Sequence, residues 1–271
     1  MICSGKTVVL KYGGHSMADA GLNAVFAKQV GALRREGLGI VIGHGGGPQI
    51  NALLKQLGIP SEFKNGLRKT SGEAMKAVEM ALAGEVNTWL VSTLAAEGVP
   101  AVGLTGKDCA FIQASRHPDI ELGFVGEIVR TDPKLCRDLL SLGYVPVVAP
   151  IGCGISDHSS LNINADTASG ALAGALRADA FVLFTDVPGV LNSDKKRLPH
   201  LSRAEAMALI ADGVIAGGMI PKVQSCLHAL DEGCRAAAIF DGARVADMAA
   251  FLDTLLSGDL GSLPAGTVLT N

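Results

Sequence analysis

The stretch VIGHGGGPQIN, residues 41–51, places three consecutive glycines between an apolar run and a proline-led amphipathic segment. In an open parallel sheet, ligands bind at the carboxyl ends of strands, where a glycine turn lets backbone N–H groups approach a phosphate at a helix N-terminus. Such a turn is also consistent with a tight connection that binds nothing. The rest of the sequence has to distinguish these two interpretations.

Short β-branched runs alternate with segments of helical period along the chain. Six of these runs predict strands, each ending at a glycine or a polar turn: 7–14, 39–46, 99–106, 144–152, 180–189 and 236–242. Apolar residues follow a helical period from Leu22 to Leu33 and from Met75 to Leu90. Uncharged strands joined by crossovers are typical of a sheet buried on both faces. We therefore predict an α/β fold, a three-layer αβα sandwich with a central, mostly parallel sheet.

Composition narrows the partners that this chain can have. The 271 residues carry a formal net charge of −3, which marks the protein for neither nucleic acid nor an anionic membrane. The six cysteines form no CxxC pair and have no histidines at metal-ligand spacing, so neither a metal site nor a disulfide framework is favoured. No apolar run resembles a secretory signal or approaches the roughly 18 residues of a membrane span. We expect a cytoplasmic protein.

Two lysines stand beside glycine pairs. Lys11 ends a predicted strand in KYGG, residues 11–14, and Lys222 follows a glycine pair in GGMIPK, residues 217–222. Two glycine loops with a lysine suggest a polyphosphate ligand, although a single lysine near a helix start is usually just solvated. Neither the GxGxxG fingerprint of dehydrogenases nor a Walker A sequence is matched.

Polar residues also cluster in LNINADTA, residues 161–168, before a helix of small residues. An extended segment would direct Asn162, Asn164 and Asp166 to one side. Alternatively, the segment is an Asx turn in which Asp166 is the N-cap.

Arg68 in NGLRKT supplies a planar guanidinium suited to a carboxylate. A polar insert, residues 109–132, alternates weakly and predicts a hairpin that projects from the sheet near a substrate edge.

Seven motifs in order resemble the amino acid kinase family over nearly the whole chain: KYGG, GHGGGPQIN, NGLRKT, AVGLTGKD, NINADTA, TDVPGVL and GGMIPK. The resemblance implies phosphoryl transfer from MgATP to the side-chain carboxylate of N-acetyl-L-glutamate in arginine biosynthesis, giving an acyl phosphate and ADP. A carboxylate acceptor is already ionised at neutral pH and needs no general base, so catalysis falls to positioning and charge neutralisation. ATP would bring its own Mg²⁺.

The resemblance also implies roles for individual residues. Lys11 and Lys222 match the two lysines that reach the transferring phosphoryl group, and Asp166 matches the aspartate that holds both. The implied substrate-binding residues are Gly14, Gly46, Gly47, Arg68, Asn162 and Asn164. The implied nucleotide-binding residues are Thr185, Asp186, Gly189, Val190, Gly217, Gly218 and Met219. Residues 1–175 would form the lobe for the acetylamino acid and for dimerisation, and residues 176–271 the lobe for ATP.

Two departures from the family pattern leave the substrate open. Ser71 stands where relatives often carry aspartate, and His15 stands where a smaller polar residue is common. One other substrate is N-acetyl-L-2-aminoadipate of lysine biosynthesis, which is longer by a methylene worth about 1–3 kcal/mol in a pocket. A third reading is a non-catalytic amino-acid sensor with the same fold. Aspartokinase and glutamate 5-kinase are disfavoured because the chain ends near GTVLTN without an appended domain, and a dehydrogenase is less favoured still.

The expected assembly is a homodimer insensitive to arginine. Few residues precede the first predicted strand, whereas arginine-inhibited hexameric relatives carry an additional helix there. The dimer surface would involve the helix after Glu73, although core packing explains its apolar residues nearly as well.

Overall fold

The structure, a computed structural model, describes residues 4–13, 17, 19–259 and 263–271. At least one helix lies between each two successive strand regions of the prediction, as expected. The strands are β1 Thr7–Tyr12, β2 Gly39–His44, β3 Phe63–Lys64, β4 Leu67–Arg68, β5 Ala101–Thr105, β6 Ile112–Arg116, β7 Gly126–Thr131, β8 Val145–Ala149, β9 Ile151–Gly154, β10 Ser160–Asn162, β11 Ala180–Thr185, β12 His200–Ser202, β13 Ala237–Asp241 and β14 Thr267–Thr270. The helices are α1 Ala20–Arg35, α2 Gly47–Gln56, α3 Gly72–Glu79, α4 Asn87–Ala96, α5 Lys134–Ser141, α6 Ala165–Leu176, α7 Arg203–Ala211, α8 Met219–Asp231 and α9 Met248–Ser257. A π-helical segment, Met80–Val86, joins α3 to α4.

Eight of the described strands form the central sheet, in the order β12-β14-β13-β11-β1-β2-β8-β5. Neighbouring strands are parallel throughout except where β13 meets β14. The predicted mostly parallel sheet is therefore confirmed. The single strand predicted over 144–152 is wrong, because the chain divides at Pro150 and β8 and β9 join different sheets.

Helices cover both faces of the sheet. One face packs against α1, α4 and α9 through a core that includes Leu10, Phe26 and Phe251, and the other packs against α5, α6 and α8 through Val9, Leu172 and similar residues. This arrangement confirms the three-layer αβα sandwich. It follows from strands that are apolar on both sides, since each face then needs its own layer of helices.

The predicted hairpin is present as β6 and β7, which pair antiparallel with a bulge between Gln113 and Ala114. It belongs to a second sheet of four described strands, in the order β10-β9-β6-β7. This smaller sheet packs on the segment that runs from β10 into α6, through Ala114, Ile163 and Ala168. The insert therefore lies beside the carboxyl ends of the central strands.

The connections reverse direction between β1 and β11, which are neighbours at the centre of the main sheet. The chain leaves β1 through α1 on one face and moves to β2, and it leaves β11 towards α8 on the other face and moves to β13. In open α/β sheets, the crevice at such a reversal is where ligands bind. Lys11 lies in β1 at this position, opposite Gly43 of β2 and Leu183 of β11.

Candidate active site

Three charged residues from distant parts of the chain meet beside this crevice. Lys11 comes from β1, Asp166 from the first turn of α6 and Lys222 from the first turn of α8. Lys11 Nζ lies 2.9 Å from Oδ1 of Asp166, and Lys222 Nζ lies 2.8 Å from Oδ2. The Lys222 contact is a hydrogen bond, and the Lys11 contact is a close ion pair. The structure therefore brings together the three residues for which the family resemblance implies catalytic roles.

The charges of this cluster favour an anion. Burial acts to raise the pKa of Asp166, but the ammonium groups of Lys11 and Lys222 outweigh it, so the pKa stays below its usual value. The carboxylate is thus charged and bridges two cations, which leaves one positive charge in excess. The N-terminal turns of α6 and α8 add their positive ends. Together these groups form an environment suited to phosphate.

Asn164, and not Asp166, caps helix α6. The side-chain oxygen of Asn164 accepts hydrogen bonds from the backbone N–H groups of Asp166 and Thr167 at 2.9 and 3.1 Å. The helix begins at Ala165, so the predicted Asp166 N-cap is wrong, and so is an extended segment running from Asn162 to Asp166. The consequence is chemical: because Asn164 satisfies the helix end, the Asp166 carboxylate is free to hold both lysines.

The glycine loop lies between β2 and α2. Gly46 is the N-cap of α2 and Gly47 is its first residue, followed by Pro48. A Cβ on Gly46 would lie 2.7 Å from the Leu82 side chain, whereas a Cβ on Gly47 would meet open space. Gly46 is therefore required for close packing, and Gly47 leaves room for a ligand. The predicted site residue Gly14, like His15, lies outside the described residues.

A cavity of about 210 Å³ opens beside this loop. Its lining includes five of the residues predicted to bind substrate: Gly46, Gly47, Arg68, Asn162 and Asn164. Asn162 donates to the Thr70 hydroxyl at 3.2 Å. The cavity thus brings together residues that are up to 118 positions apart in the sequence, from Gly46 to Asn164.

Arg68 is the cation of this cavity. It is only 7% exposed, and burial lowers its pKa from the usual value. Its Nη1 donates to the Ser61 hydroxyl at 2.5 Å, and its guanidinium carbon lies 4.6 Å from the centre of the Phe63 ring. Among the described residues, no carboxylate forms an ion pair with Arg68. A buried guanidinium held in this way is suited to a carboxylate ligand.

The residues predicted to bind nucleotide occupy two segments. Thr185 ends β11 and Asp186 follows it, while Gly217 and Gly218 precede Met219 at the start of α8, with open space around both glycines. β11 lies on the side of β1 opposite to β2, which carries the glycine loop. Their contact with nucleotide stays a prediction.

Gly189 and Val190 have a packing role that the sequence did not indicate. Gly189 has a φ of 139°, and a Cβ there would lie 2.6 Å from the Thr267 hydroxyl. The backbone N–H of Val190 donates to that hydroxyl at 2.8 Å, and the Val190 side chain is buried. These contacts hold the loop after β11 against β14. Thr267 was missed because β14 itself was not predicted.

Two other buried polar residues near the loop were also missed. His44 ends β2 and is 1% exposed, and Asn87 begins α4 and is 4% exposed. The signal available for His44 was its position directly before the glycines, whereas Asn87 is identifiable only from the fold.

Within the described ranges, no group of three His, Cys, Asp or Glu residues could hold a metal ion. No helix formed by these residues is long and apolar enough to cross a membrane.

The sequence pattern of the amino acid kinase family matches residues 6–241. The chain therefore belongs to the amino acid kinase family. Two curated relatives within this family are similar to the chain over most of its length. The acetylglutamate kinase of Granulibacter bethesdensis is 44% identical over 97% of this chain and 91% of the relative. The acetylglutamate kinase of Methylobacterium nodulans is 47% identical over 87% and 81%.

Solved structures support the same fold. A Streptococcus mutans protein is 28% identical, with a TM-score of 0.80 over 97% of this chain and 98% of its own. The N-acetylglutamate synthase of Neisseria gonorrhoeae, solved with coenzyme A and N-acetyl-glutamate, has a TM-score of 0.83 at 22% identity. This chain spans 60% of the length of that synthase. At this identity the likeness concerns the fold alone.

Proposed function

We propose that this chain transfers the γ-phosphoryl group of ATP to the side-chain carboxylate of N-acetyl-L-glutamate. The products are N-acetyl-L-glutamyl 5-phosphate and ADP, in arginine biosynthesis. The observation that carries the proposal is the cluster of Lys11, Asp166 and Lys222 at the sheet crevice. The names of the two curated relatives support the choice of acceptor.

The chemistry of this cluster suits phosphoryl transfer to a carboxylate. The acceptor is ionised at neutral pH, so the site needs no general base. What it needs is positive charge around the phosphoryl group as negative charge spreads over its oxygens, and Lys11 and Lys222 supply it. Asp166 holds each lysine within 3 Å of one of its two oxygens and so defines the distance between them. Asp166 is thus a positioning residue in this mechanism.

Mg²⁺ fits this site as an ion carried by the nucleotide. Both oxygens of Asp166 are engaged with ammonium groups, so the cluster offers no spare carboxylate as a ligand. Mg²⁺ would supply positive charge that offsets part of the charge on the phosphates. The lysines and the two helix N-termini are the groups through which this chain would bind the phosphates.

The acetylamino acid would occupy the cavity beside the glycine loop. Arg68 would bind its α-carboxylate, Asn162 would contact the amide region, and the N–H groups of Gly46 and Gly47 would face the reacting end. Every residue that lines the cavity falls between positions 45 and 165, within the proposed substrate lobe 1–175. ATP would bind to the lobe 176–271 through the segments around Thr185 and Gly217.

The proposed assembly is a homodimer formed through the helical run from α3 to α4. Two large apolar side chains on that run, Met80 and Trp89, are 60% and 37% exposed. Light scattering on the purified protein should give twice the monomer mass, without a response to arginine. A hexamer inhibited by arginine would contradict this assembly.

The activity is tested by measuring ADP release with MgATP, and by trapping acyl phosphate with hydroxylamine as a hydroxamate. The acceptors compared are N-acetyl-L-glutamate, N-acetyl-L-2-aminoadipate and free glutamate. We expect hydroxamate from N-acetyl-L-glutamate far above the other two. A preference for the longer acceptor would retain the chemistry and change the substrate, whereas no hydroxamate from any acceptor would contradict the proposal.

A further inference from the structure

A buried hydrogen-bond chain links the glycine loop to helix α4. His44 Nδ1 lies 2.9 Å from the carbonyl oxygen of Gly45, and His44 Nε2 lies 2.9 Å from Asn87 Nδ2. His44 and Lys11 are on adjacent strands, but consecutive side chains of a strand point to opposite faces, and Lys11 pairs with Gly43. His44 therefore faces the helix layer opposite the charged cluster and does not touch the reacting groups.

The partners of Asn87 determine where the protons of this chain lie. Asn87 Nδ2 is 2.9 Å from the carbonyl oxygen of Val147, as well as from His44 Nε2. A carbonyl oxygen only accepts hydrogen bonds, so the Asn87 group that lies between Val147 and His44 is the NH₂ of the amide, and it donates to both. Nε2 of His44 then accepts and is unprotonated. The ring proton is on Nδ1 and is donated to the Gly45 oxygen.

This hydrogen bond sets the direction of one peptide group. In a trans peptide, the carbonyl and the following N–H point in opposite directions. Holding the Gly45 oxygen on His44 therefore turns the N–H of Gly46 away from His44. The N–H of Gly45 donates to the backbone carbonyl oxygen of Tyr12 at 3.3 Å, which fixes the preceding peptide group, His44–Gly45, as well. Gly45 and Gly46 both line the substrate cavity.

The π-helical segment brings two more contacts to the same loop. Leu82 and Val86 from this segment are the side chains that a Cβ on Gly46 would meet, at 2.7 and 3.1 Å. The segment ends directly before Asn87. A π-helical turn changes the angular register of the residues that follow it, and such turns often occur at functional sites. One continuous stretch, residues 82–87, thus packs on Gly46 and reaches His44.

We propose that His44 and Asn87 are positioning residues for phosphoryl transfer, which hold the Gly45–Gly46 peptide with its N–H directed at the transferring group. This inference rests on the proposed function. His44 acts as a neutral donor with one defined tautomer, and Asn87 fixes that tautomer by occupying the other ring nitrogen. Such a fixed dipole stabilises developing charge only when its orientation is set before the reaction.

The experiment compares three variants for activity with MgATP and N-acetyl-L-glutamate. His44→Leu removes both hydrogen bonds, whereas His44→Asn keeps an N–H at the position of Nδ1. The matched control is His200→Leu, on β12, where the ring lies 3.0 Å from the Thr270 hydroxyl at the exposed edge of the sheet. We expect kcat to fall roughly a hundredfold in His44→Leu and much less in His44→Asn, with little change in KM for the acceptor. The control should keep wild-type kcat.

Two outcomes would overturn the inference. One is a folded His44→Leu protein, with wild-type circular dichroism, that keeps wild-type kcat. The other is a ¹⁵N NMR spectrum of the wild type that shows His44 protonated on Nε2, which needs no substrate. A wild type that forms no hydroxamate would instead contradict the proposed function, and the NMR tautomer, which needs no substrate, keeps that failure distinguishable from a failure of the His44 hydrogen-bond chain.

Discussion

Lys222 Nζ lies 2.8 Å from Asp166 Oδ2, and this contact joins the first turn of α8 to the first turn of α6. The two residues are 56 positions apart, one in each proposed lobe. This charge pair therefore adds an ion pair to the β1–β11 pairing that already joins the lobe that would bind the acetylamino acid to the lobe that would bind ATP.

Asp166→Asn should reduce kcat by roughly 10²–10³, because the lysines lose the charge that holds them at a defined separation. The substitution keeps the size of the side chain. The measurement is ADP release under saturating MgATP and N-acetyl-L-glutamate. Asp231→Asn, which breaks an exposed ion pair with Arg203 near the far end of α8, is the control and should leave kcat unchanged. Wild-type turnover in Asp166→Asn would refute the role assigned to this carboxylate.

Lys11→Ala and Lys222→Ala should both lose turnover by orders of magnitude but differ in stability. The Lys11 side chain is 9% exposed and the Lys222 side chain is 22% exposed. Removing the more buried cation should lower the free energy of unfolding by about 2 kcal/mol, and removing Lys222 should lower it by less. Urea denaturation followed by circular dichroism measures both. A larger loss of unfolding free energy in Lys222→Ala than in Lys11→Ala would contradict the expectation that the more buried lysine contributes more.

Arg68→Lys should raise KM for N-acetyl-L-glutamate by roughly tenfold or more, because lysine cannot form a bidentate contact with a carboxylate or stack on Phe63 in the same way. Arg116→Lys is a matched control, since Arg116 also stacks on a phenylalanine, Phe124, at 3.9 Å but does not line the cavity. Steady-state kinetics at saturating MgATP give both KM values. Equal changes in the two variants would indicate that Arg68 only stabilises the fold.

Stability should fall in mild acid because of His44. Burial, opposed by the hydrogen bond to the Gly45 carbonyl and assisted by the charge of Lys11, lowers the pKa of His44 from its usual value of 6.5 to about 4. Above pH 6.5 the titration of His44 takes nothing from the free energy of unfolding, since the ring is neutral in both folded and unfolded chains. Between pH 6.5 and 4 only the unfolded chain takes up the proton, so stability is lost, on the order of 3 kcal/mol in total.

This acid effect is measured as the difference in unfolding free energy between the wild type and His44→Leu across pH 7 to 4. The difference should shrink as the pH falls through that window. Asp166 does not interfere, because both proteins carry it, and because the pKa of its carboxyl is lowered from 3.8, so that most of its contribution is lost below the same window. A difference that does not depend on pH would show that His44 is not held neutral.

Gly103→Ala should reduce kcat by displacing Asn87. A Cβ at Gly103 would lie 2.1 Å from Asn87 Oδ1, so the amide would have to leave the position in which it donates to His44. Gly72→Ala is the control, since a Cβ there makes an ordinary contact of 3.5 Å with Phe124. We expect a loss of roughly tenfold in Gly103→Ala, measured by ADP release. Unchanged turnover in both variants would argue against the role of Asn87.

Much of the fold was predictable because its signals are local. Six predicted strand regions correspond to β1, β2, β5, β8 with β9, β11 and β13, since buried parallel strands read as apolar runs that end in turn residues. Lys11, Asp166 and Lys222 each stand beside a turn where a strand or helix meets the crevice, but the residues alone were equally consistent with a solvated Lys222 and a capping Asp166. Family resemblance assigned their roles.

The remaining features depend on contacts that no local pattern contains. β12 and β14 are three and four residues long, and pairing with other strands defines them. The π-helical segment could not be predicted, because its apolar residues follow a spacing that the sequence does not distinguish from that of the flanking α-helices. The Asn164 cap could not be separated from an Asp166 cap, because both residue types occur there. His44 and Asn87 are 43 residues apart, and only the packing of α4 on β2 joins them.

The most direct test of the central claim follows the γ-phosphoryl group itself. ³¹P NMR would be recorded on the wild-type protein with MgATP and N-acetyl-L-glutamate, and on a sample without the acetylamino acid. Our account predicts an acyl-phosphate signal that grows in step with ADP in the first sample, while ATP persists in the second. ADP and inorganic phosphate forming at equal rates in both samples, without an acyl phosphate, would contradict it.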